Sequence, residues 1–399
     1  MTVVSDAAAL ADELHSAGNV PAECRSAFLA VRREDFVPDR MWVHEVDGEP
    51  YRPVDRAAEP DRWLGNVYAD RVIVTQFDDG RTKWPTVGER PTCSASMPSA
   101  VAGMLAELGP QPGHHVYEIG TGTGFNAALL GHIVGPAGTV TTVEIDRELA
   151  DTARRNLAAA NVTNVVVECA DGAAELLLPS PLDRVIATAG VHIGRVPYSW
   201  VRQSRPGAVI VAPMRAEMAA GPLVRFVVAE DGTATGHATD LRVGFMELRS
   251  QRVASGAMSG WRWDDETAEV TYTDLAPWRP LLTENPRWAI AVAVPGCRYD
   301  VWKKTDERPG VAWLRDPLSR SWASVAQHDD DRFIVRQYGP RRLWNEAEAA
   351  VRWWQSNGEP PLDAWVWTIT PERQSVTLQP VAAGAWPDPT GMRSGSKCG

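Results

Sequence analysis

The sequence predicts an α/β protein in which a mostly parallel sheet is followed by a second, α+β unit. Three observations carry that expectation. From about residue 114 short apolar runs alternate with helical segments, the pattern of repeated strand and helix units. The first run ends in a glycine-rich loop, "EIGTGTG", just before a helical stretch. Thirteen of the 17 tryptophans lie between Trp261 and Trp386, so the C-terminal part packs differently from the rest.

The opening residues, "MTVVSDAAALADELHSAG", lack the basic start and apolar core of a secretory signal, and residues 1–80 read as an N-terminal helical or cap region. Residues 81–248 hold the strand and helix units. "HHVYEIG" and "TVTTVEI" are buried strands, and Asp146 caps the helix "RELADTARRNLAAAN". "VTNVVVECA", "DRVIATAG" and "AVIVAPM" continue the parallel set, and "LVRFVVAEDGTATGHATDLRV" reads as a closing hairpin. A boundary falls at 246–260, and residues 261–385 form the α+β unit. There "RWAIAVAVP", "YDVWKK", "VAWLRDP", "SWASVA" and "RFIVRQYG" read as strands broken by Gly, Pro and Asp. "RRLWNEAEAAVRWWQSNG" is a helix stopped by Gly358, and "AWVWTIT" a returning strand of the same unit. Its tryptophans serve first as core and second as an aromatic groove for a peptide. Residues 386–399 read as a disordered tail.

A chain of 399 residues fits two domains. Its net charge of −11, with no cluster of Lys and Arg, excludes nucleic acid and anionic membrane surfaces as partners. The five cysteines are scattered without a CxxC pair, which argues against a disulfide framework or a structural zinc; no metal is expected. No stretch approaches the roughly 18 apolar residues of a membrane helix. Together these features predict a cytoplasmic protein.

Gly120, Gly122 and Gly124 stand where the chain leaves a buried strand and enters a helix, so backbone can approach a ligand there. The dinucleotide fingerprint GxGxxG is not met, because its sixth position is Phe125. The GxGxG spacing suits S-adenosylmethionine, which has no pyrophosphate. Glu144 ends the second strand, where a carboxylate can hold ribose hydroxyls, and Asp171 with Gly172 follows the third, near an adenine's expected position. Singly, Glu144 is a helix-start acid and Asp171-Gly172 a turn. Three strand-end features in order favour the cofactor.

With "RREDFVP" (32–38), "SASMP" (94–98) and "EIGTGTGFNAA" (118–128), the chain resembles the protein-L-isoaspartate O-methyltransferases. The likeness runs through "ADGAAE", "LDRVIATAG" and "VPYSWVRQSRPGAVIVAP", over roughly residues 20–248. It implies a Rossmann-like class I methyltransferase with a mostly parallel seven-stranded sheet. It also implies a cofactor held by Ser94, Ala95, Ser96, Glu118, Gly120, Thr121, Gly122, Gly124, Glu144, Ile145, Asp171 and Gly172. The family's serine lies 24 residues before the first loop glycine, which is Ser96 here; Ser94 takes the family's threonine position. The departures, Ser94 for Thr, Ala95 for Ile and Met97 for Gln or Ala, bear on the substrate more than on the cofactor.

A carboxylate is already ionised at neutral pH, so its attack on a methyl group requires no general base. What such a site must supply is in-line placement, worth about 7–11 kcal/mol. Ser96 would therefore orient the acceptor rather than act as a nucleophile. His192, in "TAGVHIGRVP", is the alternative base, although a histidine in such a loop is more often solvated or a backbone partner. Arg195 beside it could steer an acidic substrate. Met97, Val196 and Pro197 complete the candidate substrate residues.

The C-terminal extension, above all "QYGPRRLWNEAEAAVRWW", resembles that of the actinobacterial long form found with ribosomally made, modified peptides such as lanthipeptides and graspetides. That likeness implies methylation of an aspartate side chain in a matured precursor peptide. The methyl ester loses methanol to the next backbone nitrogen, giving a succinimide (aspartimide) that water opens to aspartate or isoaspartate. One alternative is a repair methyltransferase acting on isoaspartate in damaged proteins. Another is a non-catalytic peptide-binding module on a degenerate cofactor fold. The sequence leaves the oligomeric state open.

Overall fold

The computed structural model describes residues 6–16, 22–46, 48–176, 181–252, 266–303, 310–329 and 331–378. The expected tail lies outside them, as does most of the expected boundary at 246–260. The chain forms two compact units. Unit 1 comprises Met1–Met214, Gly221–Arg252 and Trp367–Ser375; unit 2 comprises Arg215–Ala220, Val253–Val366 and Val376–Gly399.

Unit 1 opens with helices α1 (Ala7–Ser16) and α2 (Ala22–Ala30), strands β1 (Arg40–Val43) and β2 (Arg52–Asp55), and helix α3 (Pro60–Val67). Strands β3 (Ile73–Phe77) and β4 (Pro91–Ala95) complete an antiparallel sheet in the order β2-β1-β3-β4. There follow α4 (Pro98–Leu108), β5 (His115–Ile119), α5 (Phe125–Val134), β6 (Thr139–Glu144), α6 (Arg147–Ala159) and β7 (Val165–Cys169). Next come β8 (Leu182–Ala187), β9 (Val191–His192), α7 (Tyr198–Arg202), β10 (Ser204–Ala216), β11 (Ala219–Val228) and β12 (Ala234–Arg242).

Residues 1–80, read as a helical or cap region, lie in unit 1 and also contribute strands β1 to β3. Helices as short as α1 and α2 are marginal alone, and they bury Leu10, Leu14 and Phe28 in the same core as Leu105, Phe125 and Leu129.

Strands β7-β6-β5-β8-β10 form a parallel core. Hairpin β11–β12 is antiparallel, as its "EDG" turn predicts. The sheet does not stop at seven strands. β9 pairs with β10, and the late strands β18 (Trp365–Ile369) and β19 (Gln374–Leu378) extend the far edge, making ten. β18 adds antiparallel to β12 through Ala234↔Ile369 and Gly236↔Trp367. "AWVWTIT" is thus a strand, but Trp367–Ser375 belongs to unit 1, where it covers an edge whose backbone would otherwise stay unpaired. Ile119 pairs with both Val143 and Ala187, so the loops after β5, β6 and β8 open at one end of the sheet.

Unit 2 holds β13 (Glu269–Thr273), α8 (Trp278–Leu282), α9 (Glu284–Ala293), β14 (Arg298–Trp302), β15 (Val311–Asp316), β16 (Ser321–Gln327), β17 (Phe333–Tyr338) and α10 (Leu343–Ser356). Its antiparallel sheet runs β13-β17-β16-β15-β14, with α10 packed on β15 to β17 and against α9. The segment "RWAIAVAVP" is helical for most of its length, not a strand. Trp288, Ala289, Ile290 and Ala291 are consecutive and all buried, so the alternation expected of a strand is absent. Trp288, Trp322 and Trp344 are buried, which gives the tryptophans their core role, while Trp302 is exposed. Among the described residues no helix is long and apolar enough to cross a membrane.

Candidate functional site

The loops at the C-terminal ends of β5, β6, β7 and β8 open into a cavity of about 740 Å³. Small-molecule sites occupy about 300–1,000 Å³. Gly120, Thr121 and Gly122 form part of its wall. Gly120 has φ +100°, and a Cβ there would stand 2.7 Å from Thr188 Oγ1. Thr188 Oγ1 in turn donates to the Gly120 carbonyl at 2.6 Å. Gly124 does not line the cavity; it caps α5 and faces Ala153 and Leu157 of α6.

Glu118 also lies elsewhere than expected. It is fully buried beneath the loop, accepting from Asn126 Nδ2 at 2.7 Å and Thr142 Oγ1 at 2.5 Å. Thr121 Oγ1 lies 2.7 Å from the same Thr142 hydroxyl. Glu118 therefore supports the loop from behind instead of touching a ligand. Burial pushes its carboxyl up to about 7.

Glu144 and Ile145 line the cavity at the end of β6. Glu144 accepts from Gly122 N at 3.0 Å and Asp146 N at 3.1 Å, which fixes the carboxylate, and burial raises its pKa. Asp146 caps α6 by accepting from Glu148 N and Leu149 N, and also takes Gln76 Nε2 and Arg249 Nη1. Asp171 accepts from Ala173 N and Ser250 Oγ. A Cβ on Gly172 would lie 2.4 Å from Ile119 Cγ2, so only glycine lets the two strand ends approach. These residues fit S-adenosylmethionine: a side-chain-free loop, a held carboxylate with lone pairs left for hydroxyls, and a second acid one strand further.

Ser94, Ala95, Ser96 and Met97 also line the cavity, and a Cβ on Gly122 would lie 3.5 Å from Cys93 Sγ and 3.8 Å from the Ser94 carbonyl oxygen. Ser94 lies within β4 opposite Val74, whereas Ser96 follows the strand's last residue. Arg33, for which the sequence supplied a motif but no role, holds this turn. It is buried and donates to the carbonyls of Ala95 and Ser96, at 3.4 and 2.8 Å, and to those of Val67, Ala69 and Arg71. Desolvation draws its pKa down to about 10.

The remaining substrate candidates divide. Met97 lines the cavity; His192, Arg195, Val196 and Pro197 do not. His192 is not solvated: it is buried, its backbone N donates to Gln251 Oε1, and its Nε2 lies 2.6 Å from Glu247 Oε1. Gln251 also donates to the Arg195 carbonyl, and Gln374 brackets the backbone of Val196. The wall that the sequence missed comes from residues 242–252, including Arg242, Phe245, Glu247, Arg249 and Arg252. Its only trace in the sequence is the charged run "RVGFMELRSQR" after a strand. Arg249 pairs with Asp146 and Asp79, and Arg252 with Asp79.

A family model described as Protein-L-isoaspartate(D-aspartate) O-methyltransferase matches residues 63–252. The protein-L-isoaspartate O-methyltransferase of Thermotoga maritima is 34% identical over 155 residues, covering 39% of this chain and 45% of that protein. That of Ignicoccus hospitalis is 35% identical over 146 residues, covering 37% and 67%. That of Methanopyrus kandleri is 41% identical over 129 residues, covering 32% and 55%. The chain thus spans between 45% and 67% of these relatives' lengths. A solved protein-L-isoaspartate O-methyltransferase shares the fold, with a TM-score of 0.53 and 22% identity over 92% of this chain and 98% of that one.

Proposed function

Because this chain belongs to the protein-L-isoaspartate O-methyltransferase family, we propose that it transfers a methyl group from S-adenosylmethionine to the carboxyl of an isoaspartyl residue in a protein or peptide. The observation that carries this reading is one cavity lined together by the Gly120–Gly122 loop, Glu144, Asp171, Ser96 and Met97. When bound, S-adenosylmethionine supplies a methyl group made electrophilic by its sulfonium. Glu144 and Asp171, with the Gly120–Gly122 loop, would hold that cofactor, Glu144 by accepting from its hydroxyls. Ser96 donates to the acceptor carboxylate and orients it, with Arg33 fixing the turn that carries the serine. The acceptor is ionised at neutral pH, so no histidine base enters the mechanism. His192, bound to Glu247 behind the wall, is not needed as one.

An aspartate in a modified precursor peptide is the narrower reading. It rests on the C-terminal extension, and two observations weaken that support. A solved methyltransferase bearing the isoaspartate name shares the fold over nearly the whole chain, and tryptophans of the extension fill its interior. The test is to offer an isoaspartyl peptide, its aspartyl twin and a cyclised precursor peptide, then follow mass. Gain of a methyl group by the isoaspartyl peptide is expected. Reaction of the cyclised precursor alone would shift the assignment to peptide biosynthesis, and failure to bind S-adenosylmethionine in calorimetry would point to a binding module.

A further inference from the structure

The cavity wall contains a carboxylate that methyl transfer to an anionic acceptor does not use. Glu247 lines the cavity with its side chain 22% exposed, while its partner His192 is 6% exposed behind it. The pair is rigidly placed. Gly190 N donates to the Met246 carbonyl at 2.7 Å, and Leu248 N donates to the Gly190 carbonyl at 2.9 Å, so the segment is zipped to the chain leaving β8. Gln251 ties the His192 backbone from the other side.

The place of this pair in the sheet separates it from the cofactor features. Gly120 and Asp171 follow β5 and β7 and Glu144 ends β6, whereas Gly190 follows β8, on the opposite side of β5. Glu247 therefore lines the cavity from the β8 side of β5, away from the end of β7, a position that suits the acceptor rather than the cofactor. A carboxylate there repels any second anion, and the acceptor itself carries one. Arg249 and Arg252 in the same wall are paired with Asp79 and Asp146. Glu247 thus addresses a part of the substrate other than the reacting carboxyl, and the chemistry complementary to it is a cation.

We propose that Glu247, held by His192, makes the cavity select peptides with a basic side chain beside the methyl-accepting residue and reject those with an acidic one. This rests on the isoaspartyl methyltransferase reading and deepens it. Like charges brought together supply the rejection and opposite charges the selection.

The experiment measures kcat/KM on the full chain with isoaspartyl hexapeptides that differ only in one flanking residue, Lys, Ala or Glu, tested on each side in turn. The parent should favour the Lys over the Glu peptide by about tenfold at low salt at one flank, a preference that shrinks as salt rises. Glu247→Gln should bring that ratio near one, and Glu247→Lys should invert it. His192→Phe, which removes one partner of the carboxylate, should reduce it. Because the readout is a ratio within each variant, a general loss of activity does not imitate it. If the charge-reversed variant does not fold, Glu247→Gln decides alone. A parent without charge preference, or an unchanged ratio in Glu247→Gln, overturns the proposal. So does weakened S-adenosylhomocysteine binding in Glu247→Gln with the ratio intact, which would give the carboxylate to the cofactor. Turnover without preference sinks this proposal alone; no methylation of any peptide sinks the methyltransferase reading and this with it.

Discussion

In the proposed mechanism Ser96 offers its hydroxyl to the acceptor, and Arg33 fixes the turn that carries the serine. A hydrogen bond to a charged group contributes about 1.5–3 kcal/mol, so Ser96→Ala should lower kcat for methyl transfer by about ten- to a hundredfold. S-adenosylhomocysteine affinity by calorimetry should stay within about twofold, and Ser94→Ala should have a smaller effect. Arg33→Met removes the donor for five carbonyls, and the orphaned acceptors should cost about 3 kcal/mol in denaturant unfolding. Glu118 gives a pH signature. Its folded pKa of about 7 lies above the ordinary 4.5, so between those values the folded state keeps a proton that the unfolded chain has lost. Stability therefore falls as pH rises through that window and levels off above it. In Glu118→Gln the decline should be shallower, as read by unfolding at a series of pH values. At this scale the sequence points to Ser96 by its count to Gly120 and to Glu144 by its place at the end of a strand, and both line the cavity. Arg33 has no such local signal, since its acceptors span Val67 to Ser96 and only folding gathers them.

Strand ends and helix starts carry the site, and their local chemistry is what a sequence displays best. Asp146 was readable as a cap from its position before "RELADTARRNLAAAN". Asp146→Ala should cost about 1 kcal/mol for the cap alone, and more in unfolding experiments because Gln76 and Arg249 lose a shared partner. Gly172→Ala should disturb the β5 and β7 ends through the Ile119 contact and weaken S-adenosylhomocysteine binding in calorimetry. Helix α9 was misread because "RWAIAVA" places Trp, Ile and Val two apart, imitating a strand, while the intervening alanines are buried too. β18 reads as a strand of the C-terminal unit, yet it pairs into the ten-stranded sheet. Its pairing with β12 joins residues more than a hundred positions apart, and nothing local to "AWVWTIT" specifies that partner.

Across the whole molecule, the cavity is assembled from β4, the loops after β5 to β8, and residues 242–252. Sequence spacing delivered the first groups because the βα units follow one another in order. It did not deliver Glu247, whose meaning depends on His192 from a different loop. The central claim is that this cavity brings an isoaspartyl carboxyl and the methyl donor together. The most direct measurement is methyl transfer from labelled S-adenosylmethionine to an isoaspartyl peptide and its aspartyl twin, read by mass. Base-labile methyl incorporation into the isoaspartyl peptide is expected, absent or much slower in the twin; incorporation into neither, with the cofactor bound, would overturn the isoaspartyl assignment.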